Sequence, residues 1–228
     1  MSYTWLLFDA DGTLFAYEGA EEEALKNVFA HYHLPFNEEI AALYKQINHE
    51  MWDRLEQQTI TLLQLRWQRF ADLFGELGVS LDPKEFSETY LHYLGQAAEL
   101  IPGTLEFLEQ LHGKYKMAII TNGITDVQLS RIKISGLDRY FPHIFTSEAI
   151  GVFKPANGFF DAVFEGIGNP PKEKALVIGD SLSSDIAGGV GYGLDTCWYN
   201  PNGAEDNTGL PITYEIRELS DLSAILEI

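Results

Sequence analysis

Between Ile101 and Ile216 the chain alternates helix-like and strand-like segments in regular order, and no other feature narrows the choice of fold as far. Pro102 and Gly103 open a helix running to about Leu111, KMAIIT at 116–121 is a strand, 124–135 reads as a helix and HIFTSE at 143–148 as a strand. A helix over 157–167, the strand ALVIGD at 175–180, a helix over 184–192, the strands DTCWYN at 195–200 and ITYEI at 212–216, and a final helix complete the series. Strands separated by helices need crossover connections, and crossovers of one hand build a parallel sheet covered by helices on both faces. The expectation is an α/β fold with a doubly wound, Rossmann-like parallel sheet. NPNGAEDNTGLP at 200–211 is a polar loop with turn-forming residues, and the chain carries no internal repeat.

One more strand stands apart from this series. Trp5, Leu6, Leu7 and Phe8 form an unbroken apolar run, as expected for a central strand buried on both faces, and it leads straight into FDADGTL at 8–14. Period-two alternation aims the side chains of Asp9 and Asp11 to the same side at the strand's carboxyl end, where open α/β sheets bind their ligands. Two carboxylates so close repel each other, so that either a cation lies between them or one keeps its proton. A plain Asp-Gly turn that ends the strand is the alternative for these letters alone.

From residue 16 to 98 the periodicity is helical, which reads as an insertion between the first strand and the rest of the core. Leu25, Val28, Phe29 and Tyr32 make one apolar stripe; Ile40, Leu43, Tyr44, Ile47 and Met51 a second; Leu63, Trp67, Phe70, Phe74 and Leu77 a third; Phe86, Tyr90, Tyr93, Leu94 and Ala97 a fourth. Four amphipathic helices packed as a small bundle follow, giving a core domain of 1–15 and 99–228 and a helical cap of 16–98. The acidic run Glu21–Glu23 suits the first turn of a helix.

Composition closes off several functions. With 15 Lys and Arg against 34 Asp and Glu, the net charge of −19 opposes binding to a nucleic acid polymer, and no basic stripe offsets it. The apolar runs are strand-sized, so neither a membrane span nor a signal peptide is expected. The single cysteine, Cys197, rules out an internal disulfide and sits in a strand-like run as a buried hydrophobe would, which fits the reducing cytoplasm. Oligomeric state stays open at this level, and a monomer is compatible with everything in the sequence.

Three later segments carry polar residues to the ends of core elements: Thr121 and Asn122 after KMAII, Lys154 in GVFKP, and Asp180 and Asp185 in GDSLSSD. Each alone reads as a cap, a turn or a solvated charge. In a parallel sheet, however, all carboxyl ends lie on one edge and these residues can meet Asp9 and Asp11 there. Asp9, Asp180 and the backbone carbonyl of Asp11 are hard oxygen ligands, too few for a closed calcium cage and suited to Mg2+ with bound waters. Thr121 and Lys154 can then hold phosphoryl oxygens while Asp9 attacks phosphorus and Asp11 serves as acid and base.

At these residues the sequence resembles the haloacid dehalogenase superfamily of phosphatases, with FDADGTL, Thr121, Lys154 and GDSLSSD standing at its four motifs. The resemblance spans nearly the whole chain, the helical cap included. It implies Asp9 as nucleophile, Asp11 as acid/base, Thr121, Asn122 and Lys154 as phosphate ligands, Asp9, Asp11 and Asp180 around magnesium, and Asp185 and Ser181 in supporting roles, Asp185 more often on bound water or Lys154 than on the metal. ITNG, KP, GDSLSSDIAGG and GLDTCWYN look like the bacterial branch that hydrolyses pyrimidine nucleoside monophosphates. That implies a small phosphate ester as substrate, UMP, dUMP or dTMP first, with phosphoglycolate or a sugar phosphate as the alternative. A dehalogenase would not be expected to keep Asp11, and a phosphoacceptor signalling domain would have another strand order and no cap. Within the cap, Arg69 falls to one side of the third stripe and is the candidate reader of the leaving group.

Overall fold

A computed structural model describes residues 3–57 and 59–226. Among these, six strands form one parallel sheet: β1 (Trp5–Phe8), β2 (Lys116–Thr121), β3 (His143–Thr146), β4 (Ala175–Gly179), β5 (Asp195–Tyr199) and β6 (Tyr214–Ile216). Their order is β3-β2-β1-β4-β5-β6, so the winding reverses direction at β1. Phe8 pairs with Ile119 on one side and Ile178 on the other, which brings the carboxyl ends of β1, β2 and β4 level. Such a reversal opens a crevice at the strand ends, because the connections on its two sides run away from each other.

The apolar run of β1 is buried on both faces. Leu6 and Phe8 join a cluster with Ile119, Ile178 and Cys197, while Trp5 and Leu7 join a second with Ile120, Val177 and Phe160. Full burial of four consecutive side chains is what removes the alternation expected of a half-solvated strand.

The chain divides into two compact units, Met1–Tyr17 with Ala98–Ile228, and Glu18–Ala97. At the junction, Ala16 donates its N–H to Glu99 and Ile101 to Leu14, so the chain leaves the core and returns to it along adjacent backbones. The helical segment contains α1 (Tyr17–His31), α2 (Glu38–Glu56), α3 (Leu62–Leu77) and α4 (Pro83–Gln96). Their starts follow local chemistry: Asn37 accepts from the Ile40 N–H, Thr61 and Gln64 form a reciprocal capping box, and Asp82 precedes Pro83. Phe29, Tyr44, Phe70, Phe74, Phe86 and Tyr90 fill the interior of this unit.

The third stripe is rotated from its expected position. Leu63 is 71% exposed, and the buried face of α3 runs through Leu62, Leu65, Arg69, Phe70, Leu73 and Phe74. Arg69 therefore lies on the buried face and not beside it.

The core helices are α5 (Thr104–Leu111), α6 (Thr125–Ser135), α7 (Ser147–Ile150), α8 (Asn157–Gly166), α9 (Ala187–Tyr192) and α10 (Leu222–Leu226). Two departures from the expected boundaries matter for the site. Thr146 ends β3 and caps α7 by accepting from the Ala149 N–H, so HIFTSE is half strand and half helical turn. The segment after β4 begins as a wide π-helical turn, Leu182–Ile186, before α9. Such turns recur at functional sites because the extra residue per turn re-aims a side chain.

Candidate active site

After Phe8 the chain adds one more ladder bond, Asp9 N–H to the Ile178 carbonyl at 2.8 Å, and then leaves the strand. Leu14 and Phe15 both return their N–H groups to the Ala10 carbonyl, closing a tight loop around Asp11, Gly12 and Thr13. Gly12 has φ +85°, and a Cβ there would lie 2.4 Å from the Asp180 carboxylate, so backbone strain and space both demand glycine. Asp180 lies over that loop, with the Thr13 hydroxyl 3.4 Å from its Oδ1.

Lys154 is the centre of charge. Its ammonium is 1% exposed and donates to Asp9 Oδ1 at 2.7 Å, Asp185 Oδ1 at 2.6 Å and the Ile120 carbonyl at 2.7 Å, which uses all three protons. Asn122 fixes the Lys154 main chain by a reciprocal pair, accepting from its N–H and donating to its carbonyl. The Asn122 amide is thereby anchored to the Lys154 main chain through its oxygen and one N–H. Asp185, aimed by the π-turn, accepts from Lys154 through one oxygen and from the Ser181 N–H through the other, while the Ser181 hydroxyl caps the turn at Ser184. Gly179 makes room for it, since a Cβ would meet the Asp185 carboxyl at 2.3 Å. Thr121 is buried at the end of β2 and accepts from the Gly123 N–H.

The expected pairing of Asp9 with Asp11 is resolved differently. Asp11 has left the strand, and its two oxygens accept from Arg131 Nη1 and Gln128 Nε2 of α6. Asp9 and Asp11 therefore face different cations, Lys154 for Asp9 and Arg131 for Asp11. Gln128 and Arg131 were outside the expected set. The signal for them was a polar residue and a cation three apart on a helix with little amphipathic contrast, which reads equally well as a solvated face.

Arg69, expected beside the third stripe, is buried within the helical unit, and that placement is corrected. It is 1% exposed, donates from Nη1 to Asn48 at 2.8 Å, and lies 5.1 Å from the ring centroids of both Phe70 and Tyr90. Asn48 in turn donates to Glu21 at 2.7 Å, so Arg69 belongs to a polar tie among α1, α2 and α3.

The model of haloacid dehalogenase-like hydrolases matches residues 3–193, a stretch that contains every one of these core residues. The chain belongs to that family. Among individual relatives, the HAD-hydrolase YfnB of Bacillus subtilis is 37% identical over 226 residues, covering 99% of this chain and 96% of YfnB. The pyrimidine 5'-nucleotidase YjjG of Escherichia coli is 34% identical and covers 99% of both chains, and the pyrimidine 5'-nucleotidase PynA of Streptococcus pneumoniae is 36% identical over 100% of this chain and 96% of its own. A crystal structure of YfnB bound to magnesium superposes with a TM-score of 0.94 over all of both chains.

Membership in this family raises the question of a metal, and the carboxylates at the strand ends bear on it. Asp9, Asp180 and Asp185 offer oxygens all within 4.8 Å of one another. Burial, then Asp185 and also Asp180, push the Asp9 carboxyl well above the usual carboxylate range against the pull of Lys154. Burial and Asp185 push Asp180 up to about 7. For Lys154 burial opposes the charge, but Asp185 and Asp9 outweigh it and hold the ammonium above its ordinary range. One ammonium does not offset three crowded carboxylates, and the donor set of hard oxygens fits a divalent cation.

A pH dependence follows from these shifts. Asp9 and Asp180 are raised, so the folded chain keeps protons that the unfolded chain loses near pH 4. In chelator, stability is therefore expected to be highest at mildly acid pH and to fall as pH rises through about 7. Magnesium is expected to cancel that fall, because it favours the ionised carboxylates. Thermal unfolding across this range, with and without the ion, checks it; a flat profile in chelator would contradict the crowding.

Proposed function

We propose that the chain is a magnesium-dependent 5'-nucleotidase acting on pyrimidine nucleoside monophosphates, with the core as catalytic domain and the inserted helices as the domain that selects the leaving group. The observation that carries the phosphatase reading is the convergence of Asp9, Lys154, Asp180 and Asp185 at the level carboxyl ends of β1, β2 and β4. Full-length similarity to YjjG and PynA carries the choice of substrate.

In this reading Asp9, Asp180 and the carbonyl of Asp11 would hold magnesium, which supplies charge neutralisation for the phosphoryl oxygens. Asp9 Oδ2 receives no donor among the described residues, since Lys154 is on Oδ1, and that oxygen is free to attack phosphorus. The Thr121 hydroxyl and the Asn122 main chain hold the phosphoryl oxygens, and the Lys154 ammonium, 2.7 Å from the attacking carboxylate, offsets their charge. As the Asp9 O–P bond forms, the P–O bond to the nucleoside breaks and the departing oxygen takes a proton from Asp11. Asp11 then removes a proton from water, whose oxygen attacks the aspartyl phosphate. The Asp9–phosphorus link breaks, inorganic phosphate leaves and Asp9 is a carboxylate again. Asp185 keeps Lys154 in place, and the Ser181 N–H keeps Asp185. A cytoplasmic setting belongs to the same proposal, resting on a single cysteine that is fully buried; among the described residues no helix is long and apolar enough to cross a membrane.

The test is kcat/KM over UMP, dUMP, dTMP, purine monophosphates, phosphoglycolate and hexose phosphates. A pyrimidine nucleotide is expected to lead. A lead of tenfold or more by phosphoglycolate or a hexose phosphate, about 1.4 kcal/mol in transition-state binding, would overturn the nucleotidase reading and leave the phosphatase reading standing.

A further inference from the structure

The contacts of Asp11 are the largest feature of the site that the proposed chemistry leaves unused. A lone aspartate in a loop has a soft terminal torsion, and its carboxyl samples a broad arc. Here both oxygens are held, Oδ1 by Arg131 and Oδ2 by Gln128. The two donors come from one face of α6, three residues apart, on the helix that starts immediately after the Thr121–Ile124 turn. Each donor is itself immobilised. Arg131 is fully buried with its guanidinium carbon 4.2 Å from the Phe15 ring centroid, and Gln128 is packed over Gly123, where a Cβ would lie 2.1 Å from its Nε2. Gln128 Nε2 is also 3.4 Å from the Thr121 hydroxyl, so the same amide touches the acid/base and the phosphate-holding residue. The grip comes from the inside: the Arg131 side chain is 0% exposed while that of Asp11 keeps 24%, leaving its outward lone pairs accessible.

We infer that Gln128 and Arg131 are positioning residues that hold the Asp11 carboxyl at the rim of the phosphate pocket, oriented for the oxygen of the departing alcohol. The inference rests on the phosphatase reading with Asp11 as acid/base. Its signature is a dependence on the leaving group, because a nucleoside alkoxide needs a proton in the first step and nitrophenolate does not. kcat/KM reports that step.

The experiment compares UMP with 4-nitrophenyl phosphate in wild type, Arg131→Met, Arg131→Lys, Gln128→Leu, Asp11→Asn and Asp11→Asn/Arg131→Met, with circular dichroism to show that each is folded. Arg131→Met is expected to lower kcat/KM for UMP by about 100-fold, the cost of a misplaced catalytic group, and that for 4-nitrophenyl phosphate by less than about fivefold. Arg131→Lys is expected to recover about tenfold of the UMP loss, since it keeps the charge without the fork. In the Asp11→Asn background Arg131→Met is expected to cost less than about twofold, because its effect acts through Asp11. Equal losses on both esters, or an undiminished loss in the Asp11→Asn background, would overturn the inference while the phosphatase reading stands. If Arg131→Met does not fold, Gln128→Leu, which buries no charge, decides by the same ratio, with about a tenfold excess loss on UMP expected and equal losses overturning it. A wild type that hydrolyses neither ester would bring down the phosphatase reading and this inference with it.

Discussion

Asp9→Asn is expected to abolish turnover, by about 10⁵-fold or more in kcat, the scale seen when a covalent nucleophile is removed. The substitution is nearly isosteric, so shape is preserved in a position with 6% exposure. The charge it deletes is one that burial and Asp185 already disfavour. Lys154 retains Asp185 and the Ile120 carbonyl as partners. Stability in chelator is therefore expected to be unchanged or higher than that of wild type, as is common where an active site stores unfavourable charge. Loss of activity accompanied by loss of folding would assign Asp9 a structural role instead. Steady-state assays together with denaturant unfolding separate the two.

Lys154→Met should damage both properties. The ammonium pairs with two buried carboxylates, at 2.7 Å from Asp9 and 2.6 Å from Asp185. Deleting one partner of a buried ion pair leaves the other charge unpaired, which typically costs about 3–5 kcal/mol. Activity is expected to vanish as well, because the phosphate would enter a pocket of uncompensated negative charge. The double variant Lys154→Met/Asp185→Asn separates the effects. It removes a charge of each sign, so denaturant unfolding should return most of the stability, while activity should stay lost. Recovery of activity along with stability would mean that Lys154 serves the fold alone.

The parts of this molecule that were legible in the sequence are those set by short-range pattern. Trp5–Phe8 announced a doubly buried central strand because four consecutive apolar residues have few other uses, and the strand ends named Asp9, Thr121 and Asp180 because parallel order brings those ends to one edge, whereas Lys154 comes from the turn between α7 and α8. What stayed hidden depended on three-dimensional detail. The chain leaves the strand one residue after Asp9 because Leu14 and Phe15 both bond back to Ala10, and no period-two rule anticipates that turn. Arg131 was not singled out, because its burial depends on Phe15 and Asp11, residues more than 100 positions away. Arg69 was misplaced for a simpler reason. Leu63 and Leu62 offer alternative starts to the α3 stripe, and choosing Leu63 kept Phe70 and Phe74 but turned the stripe's centre away from Leu65, Arg69 and Leu73.

The central claim is that phosphorus passes through Asp9, and it can be observed directly. The enzyme is mixed with excess 4-nitrophenyl phosphate and magnesium, quenched in acid during turnover, digested and examined by mass spectrometry. The account predicts one phosphoryl group on the peptide that begins the chain, at Asp9, formed fast enough to lie on the path to inorganic phosphate and absent from Asp9→Asn. Rapid release of phosphate with no phosphoryl group on Asp9, or with the group on another residue, would contradict it.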